Sequence, residues 1–203
     1  MADTPTESDL SLVAGHPALD FTNTASWPPG GVRNERLVDY AALLLWSVRT
    51  CVIEPAQGEA MRARSLAQPE EATRVLHRAL ELREAVHDVF AARATGALVP
   101  RRALDRLNHH LAEALFHARI SEQGGAFNWV WESAPDALDR MLWPLARSAA
   151  ELLTSVELAR VRLCAGENCG WLFIDTSKNR TRRWCSMSDC GNRAKVRRFR
   201  ARR

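Results

Sequence analysis

Hydrophobic residues in the first 160 positions recur at steps of three and four, the spacing that places side chains on one face of a helix. The pattern predicts helices that begin after the Gly30-Gly31 turn and at Pro55, Pro69 and Pro100. Proline suits the first helical turn, because its missing N–H has no partner there anyway. Gly96 is expected to end the third of these helices. This part of the chain is therefore predicted to be mainly α-helical.

Two segments between residues 118 and 160 interrupt the helical pattern. Gly124-Gly125 is expected to end the fourth helix, and the alternation of large aromatic residues over 126–131 predicts a strand. We expect residues 18–22 to supply its partner strand. A fifth long helix is predicted to start at Pro135, with a kink or a split near Pro144. The result is a minor β element within an α-helical domain.

The last forty residues follow a different pattern. Residues 171–174 are aromatic and branched and predict a strand, which we expect to pair with 181–184 across a polar turn. Ser186-x-x-Asp189 is typical of a capping box and predicts a helix that begins just before Cys190. An apolar stripe on that helix is expected to pack against the hairpin. The stripe consists of Asn192, Val196 and Phe199.

Four cysteines give this tail its chemistry. They are Cys164, Cys169, Cys185 and Cys190, two C-x4-C pairs separated by fifteen residues. Thiolates in two close pairs suit one tetrahedral Zn²⁺, held here between a first turn, a hairpin and a helix in a treble-clef arrangement. A disulfide framework is the alternative; the odd fifth cysteine and the lack of a recognisable signal peptide disfavour it. We expect that fifth cysteine, Cys51, to be a buried small hydrophobe in a reducing cytoplasm.

Charge is divided unevenly along the chain, whose net charge is +4. From Cys164 onward 11 basic residues face three acidic ones, a net of +8, which leaves −4 for residues 1–163. The tail is therefore expected to meet a polyanion, although a merely solubilising tail is the alternative. Trp184 either stacks on a base or covers the zinc cluster. The candidate nucleic-acid contacts are Lys178, Arg180, Arg182, Arg183, Arg193, Lys195, Arg197, Arg198 and Arg200.

No catalytic constellation is apparent in the rest of the sequence. The histidines lack metal-ligand spacing, and there is neither a phosphate-binding glycine loop nor a nucleophile elbow, so we expect no enzyme activity. No apolar run reaches membrane-spanning length, which predicts a soluble, cytoplasmic protein. The tryptophans either fill the core or wall a small-molecule pocket. The candidate polar groups of such a pocket are His16, Asp20, Asn23 and Arg33.

The same residues resemble a known family. Residues 164–199 resemble the CGNR zinc finger, named for the tetrapeptide that here begins at Cys190, and the preceding DTSKNRTRRWCSM is similar to that family's pattern. The N-terminal HPALDFTNT resembles the opening of the ABATE domain, which precedes this finger in proteins regarded as stress-induced transcription regulators of bacteria. The resemblance implies zinc bound by the four cysteines and nucleic-acid binding by the finger.

These observations predict two domains, an α-rich domain over 1–160 and a treble-clef finger over 161–203. The expected function is that of a bacterial transcription regulator that binds DNA. A structural zinc ion would organise the finger, and the helical domain would sense a small molecule or form a homodimer. An RNA- or ribosome-associated protein and a protein-interaction finger are the alternatives, because phosphate attraction alone does not separate DNA from RNA.

Overall fold

The computed structural model describes residues 12–30 and 34–201. Seven α-helices and two antiparallel strand pairs make up most of this part of the chain. In chain order the elements are α1 (Pro17–Thr22), α2 (Tyr40–Arg49), α3 (Pro55–Ala67), α4 (Pro69–Thr95), α5 (Arg101–His117), β1 (Ala118–Gln123), β2 (Ala126–Trp131), α6 (Leu142–Thr154), β3 (Val161–Leu163), β4 (Leu172–Ile174) and α7 (Asn192–Arg200). The prediction of a mainly α-helical chain with minor β structure is confirmed.

The helix boundaries predicted at Pro55, Pro69, Gly96 and Pro100 are confirmed. Helices α3 and α4 begin at Pro55 and Pro69, and α5 begins just after Pro100. Gly96 ends α4 with φ of 72°, a left-handed conformation that glycine adopts without steric cost. Asp39 caps α2 by accepting a hydrogen bond from the backbone N–H three residues later, at 2.7 Å.

The hairpin β1–β2 corrects the predicted partner strand. Helix α5 ends at His117, and Gly124 and Gly125 form the turn between two strands with φ of 62° and 84°. Residues 18–22, the expected partner, lie in α1. Two consecutive positive φ angles fit the tight turn that joins antiparallel strands. The partner of β2 is therefore β1, the segment just before the turn.

Helix α6 begins seven residues later than predicted. Residues 135–141 form turns, and the helix starts at Leu142, so Pro144 lies in its first turn and produces no kink. Trp143 beside it is buried. The predicted kink or split is therefore wrong, because the helix starts late and runs without a break from Leu142 to Thr154.

One hydrophobic core joins the helices to the tail. Helix α4 packs against α1, α2, α3, α5 and α6 and also against β3 and β4. Val161, Leu172 and Ile174 from the two short strands belong to the same buried cluster as Trp46 and Trp143. The first strands of the tail are thus anchored in the helical core.

The expected burial of Cys51 is wrong. Cys51 is exposed, in a turn after α2, with φ of 56°. Within the described residues, no helix is both long and apolar enough to cross a membrane.

Candidate metal centre and basic surface

A hairpin positions the first cysteine pair. Strands β3 and β4 pair antiparallel, and Cys164 and Cys169 lie in the loop between them. The ladder continues into this loop, where the Cys164 N–H donates to the Trp171 carbonyl at 2.7 Å. The predicted pairing of 171–174 with 181–184 is wrong, because β4 takes β3 as its partner and the later segment has no strand. The hairpin that forms carries the first cysteine pair in its loop, and no hairpin lies between the two pairs in the described residues.

Residues 175–184 return the chain to the second cysteine pair through a turn organised by Asp175. This buried carboxylate accepts hydrogen bonds from the Ser177 hydroxyl at 2.6 Å, the Ser177 N–H at 2.9 Å and the Arg182 N–H at 3.1 Å. These hydrogen bonds, that of the Ser177 hydroxyl first, lower the pKa of Asp175. The turn is therefore a fixed part of the finger and directs the chain toward Cys185.

A π-helical turn holds Cys190, the last of the four cysteines. It spans Met187–Gly191 and leads directly into α7, so the helical structure begins before Cys190 as predicted. The predicted capping box does not form. The Ser186 hydroxyl lies 2.8 Å from the Ser188 hydroxyl, and the Asp189 carboxylate accepts a hydrogen bond from Arg193. A five-residue turn leaves the two capping side chains out of reach of the N–H groups that a regular helix would present.

The four sulfur atoms lie together at the centre of this loop system. All lie within 4.8 Å of one another, and all four cysteines are buried. The Sγ atoms of Cys169 and Cys185 are 3.6 Å apart, and those of Cys185 and Cys190 are 3.7 Å apart. A tetrahedral zinc ion with Zn–S bonds of about 2.3 Å separates its sulfurs by about 3.8 Å. The cluster therefore fits one zinc ion, and the cysteines are placed to hold it.

Electrostatics also favour a cation here. Hydrogen bonding between the sulfurs lowers the pKa of Cys164 to about 2 and raises that of Cys169 to about 12. The same contacts raise the pKa of Cys185 further. Without a cation the four cysteines thus stabilise a single thiolate, that of Cys164. Deprotonation of all four at this spacing needs a divalent cation. Backbone N–H groups support the first thiolate, since Gly166 and Cys185 donate to the Cys164 Sγ at 3.4 and 3.3 Å.

Arg193 connects this centre to α7. Its guanidinium donates to the Cys190 Sγ at 3.2 Å and to the Asp189 carboxylate at 3.1 Å. A cation beside a metal-bound thiolate offsets part of the negative charge of a four-sulfur site. Arg193, one of the predicted nucleic-acid contacts, therefore has a structural role as well. The spacing of three residues from Cys190 on a helix was the available signal for this contact.

Two further predicted contacts are engaged within the finger. The guanidinium of Arg182 donates to the carbonyls of Trp184 and Cys185 and lies 4.3 Å from the centre of the Phe173 ring. Arg197 pairs with Glu167 in the first cysteine loop. Trp184 packs against the zinc cluster and is half-buried, which agrees with the covering role.

The remaining predicted contacts form an exposed set, which we call the basic surface. Within the described residues none of them takes part in an ion pair. The basic surface consists of Lys178, Arg180, Arg183, Lys195, Arg198 and Arg200. The apolar stripe of α7 was wrongly predicted to be buried, since Val196 is 50% and Phe199 is 60% exposed. Helix α7 starts at the zinc centre, where Arg193 contacts Cys190 and Arg197 pairs with Glu167.

The candidate pocket residues lie where the helical part meets the finger. Asn23 is buried, and its amide donates to the Leu172 carbonyl at 2.8 Å while its Oδ1 accepts from the Leu172 N–H at 3.0 Å. Asp20 accepts from the Ala14 N–H at 3.0 Å, and burial raises its pKa to about 6. Burial also lowers the pKa of His16. Arg33 lies outside the described residues. A ligand role for these residues stays a prediction.

A second contact at this junction was missed by sequence reasoning. The Trp27 ring stacks on His87 with centroids 3.7 Å apart, and the backbone N–H of Trp27 donates to the Cys169 carbonyl at 2.9 Å. The His87 Nε2 lies 3.0 Å from the Gly170 carbonyl. Gly170 has φ of 66°, and an added Cβ would lie 2.6 Å from Trp27. The helical part therefore contacts the first cysteine loop directly. The contacting residues are far apart in the sequence, so their spacing gave no sign of the contact.

Comparison with known proteins follows this division of the chain. A family model described as "Putative stress-induced transcription regulator", named ABATE, matches residues 15–156. The CGNR zinc finger model matches residues 160–203, the segment that holds the four cysteines and the basic surface. No curated protein matches the chain.

Proposed function

Because this chain belongs to the ABATE family and carries a CGNR zinc finger, we propose that it is a transcription regulator that binds DNA through the zinc-organised finger. The helical part would then carry the control, by sensing a small molecule or by forming a homodimer. We assign it to the bacterial cytoplasm, where DNA is accessible and thiolates stay reduced.

The observation that carries this proposal is the basic surface itself. Its cations are exposed and lack acidic partners among the described residues, and several lie on a helix that starts at the zinc centre. Fixing the helix at the metal reduces the freedom that its arginines lose on binding a phosphate backbone. The zinc-binding loops thus present positive charge in a defined arrangement, which favours a polyanionic partner.

We assign the zinc ion a structural role. Four cysteine thiolates complete a tetrahedral shell and leave no position for a water molecule. The cysteine loops share a small hydrophobic cluster with Trp171 and Phe173, and four thiolates inside it would repel one another without a cation, so metal binding should contribute directly to their folding. We accordingly propose a binding protein and not an enzyme.

The test is a nucleic-acid binding assay with a charge-matched control. Fluorescence anisotropy would compare duplex DNA, structured RNA and single strands at fixed salt. The variant Lys195→Ala/Arg198→Ala should weaken duplex binding and lower its salt slope by about two, roughly one for each phosphate contact. The control Arg102→Ala/Arg106→Ala removes the same charge from exposed positions on α5 and should bind normally. Preference for RNA would redirect the proposal to that alternative, and no binding to any nucleic acid would reject it.

We also propose a homodimer through the hairpin β1–β2. Its register places Ile120, Phe127 and Trp129 on one face, and these side chains are 65%, 76% and 46% exposed. Phe116, at the end of α5, is 74% exposed. Apolar surface of this kind favours association, and one small finger gains useful specificity when it is paired. Sedimentation of Phe127→Glu should show a lighter species than the native chain, and a native monomer at high concentration would refute the dimer.

A further inference from the structure

A cavity lies between the turn after α2, strand β2 and the start of α6. It has a volume of about 380 Å³, which is within the range of small-molecule sites. The main groups of its wall are Cys51, Glu54, Trp129, Trp131 and Arg140. Trp129 and Trp131 are among the tryptophans that the sequence offered as pocket walls, whereas the predicted polar residues His16, Asp20 and Asn23 do not line it. The structure thus offers a different place for a ligand in the helical part.

Arg140 supplies a positive charge to this cavity, and one of its N–H groups is left without a partner in the described part of the chain. Its Nη2 donates to the Trp131 carbonyl at 3.2 Å, whereas its Nη1 is buried and has no hydrogen-bond partner among the described residues. The acid nearest to it in the cavity wall, Glu54, forms no ion pair with it and already caps α3, where its carboxylate accepts from the backbone N–H of Gln57. Burial lowers the pKa of Arg140, and the nearby Glu54 carboxylate offsets only part of that effect.

Aromatic surface completes the site. Trp129 and Trp131 are two residues apart on one strand and therefore lie on the same face of the hairpin. Arg147 lies 4.4 Å from the centre of the Trp129 ring and holds it from α6. Flat aromatic walls beside a guanidinium form a site that suits a planar ring bearing a carboxylate, because the ring stacks while the charge pairs.

We propose that this cavity binds a small aromatic carboxylate, with Arg140 pairing with the carboxylate and the two tryptophans packing on the ring. The inference rests on the proposed function only for the biological role of the ligand, which would be the effector of the regulator. Binding itself requires neither zinc nor nucleic acid. A failure of DNA binding would therefore leave this site untouched, and the reverse also holds.

Cys51 makes the site measurable. It is the exposed member of the five cysteines and lines the cavity, while the other four are buried in the metal centre. A maleimide should therefore label Cys51 selectively in the zinc-loaded protein. A ligand in the cavity should slow that labelling, because it covers the approach to the thiol.

The experiment uses 2-naphthoate as the probe and its methyl ester as the uncharged control. Calorimetry on the zinc-loaded chain should show binding of the acid about tenfold more tightly than the ester, since one charge-assisted contact separates them. Saturating naphthoate should slow maleimide labelling of Cys51 at least about fivefold, the protection expected when most sites are filled. Arg140→Gln should remove the preference for the acid, Arg140→Lys should retain part of it, and Arg102→Gln on α5 should behave as the native chain.

Three outcomes would overturn the proposal. They are equal binding of acid and ester, unchanged labelling of Cys51 at saturating naphthoate, and an Arg140→Gln chain that keeps the native preference. If Arg140→Gln fails to fold, the comparison of acid with ester and the labelling of the native chain decide the question without it. Zinc content and circular dichroism confirm in each case that the finger and helices are intact.

Discussion

Asn23 is the residue whose removal should most clearly separate the finger from the helical part. Its amide makes two hydrogen bonds with the backbone of Leu172, at 2.8 and 3.0 Å, across 149 positions of sequence. Both groups of Leu172 are buried. Asn23→Ala would leave a buried N–H and a buried C=O without partners, and each such group costs about 1–3 kcal/mol.

The expected loss of unfolding free energy is about 2–4 kcal/mol, allowing for a water molecule that enters the space left by the amide. Asn23→Asp should be at least as destabilising at neutral pH. Its carboxylate still accepts from the Leu172 N–H, but a second oxygen then faces the Leu172 carbonyl where an N–H donated before. Asn108→Ala, an exposed position on α5, is the matched control and should change little.

Urea unfolding of the zinc-loaded chains, followed by tryptophan fluorescence, gives the free energies. Hydrogen exchange gives the local effect, because the Leu172 N–H should exchange faster in Asn23→Ala than in the native chain. A change below about 0.5 kcal/mol, typical of a surface substitution, together with an unchanged Leu172 amide would refute the structural role of Asn23. It would also favour the ligand role that the sequence suggested.

Four further perturbations test other parts of the structure. Cys185→Ser should abolish zinc binding and increase hydrogen exchange over residues 164–200, while circular dichroism shows the helices retained. Gly170→Ala should destabilise the chain in thermal unfolding by about 1–3 kcal/mol, since its φ is positive and a Cβ would meet Trp27 at 2.6 Å. Burial raises the pKa of Asp20 to about 6, so its folded state favours the protonated form, and stability is lost as pH rises from 3.8 through 6. Asp20→Asn should therefore gain stability relative to the native chain at pH 7.5 and less at pH 5, as measured by urea unfolding. Arg198→Ala should weaken duplex binding uniformly across sequences without changing the unfolding midpoint.

Local signals in the sequence predicted the helices and the zinc ligands well. Prolines at Pro55 and Pro69 and the left-handed Gly96 act within one or two turns, so their effect does not depend on the rest of the fold. The four cysteines were found for the same reason, because ligand spacing along the chain reflects the size of the metal's coordination shell. The family resemblance and the matches to ABATE and CGNR agree with that interpretation.

The predicted strand partners, the predicted end of α5 and the predicted burial of the α7 stripe were wrong, because each of these depends on contacts beyond the local pattern. Strand β4 could pair with either neighbouring segment, and the core position of Val161 favours β3. The end of α5 at His117 carries no glycine or proline, so the pattern gave no reason to stop the helix before the Gly124-Gly125 turn. The stripe with Val196 had the right spacing for burial, but Val196 and Phe199 are 50% and 60% exposed, so spacing alone did not decide burial.

The contacts that join the finger to the helical part could not be predicted from spacing. Asn23 was expected to face a ligand, and the structure shows that its amide is fully used by the backbone of Leu172. Trp27 and His87 are sixty positions apart and meet only because α4 passes beside the first cysteine loop. The polar side chains of Asn23 and His87 thus pair with backbone groups of Leu172 and Gly170, which belong to the finger.

The central claim is that four buried thiolates hold one zinc ion and that Cys51 stands apart from them. The most direct measurement combines elemental analysis with a thiol titration of the purified native chain. The structure predicts one zinc ion per chain and one rapidly reacting thiol, with all five cysteines reacting after chelation and denaturation. A chain without zinc, or with fewer than five thiols after denaturation because the sulfurs have formed disulfides, would contradict it.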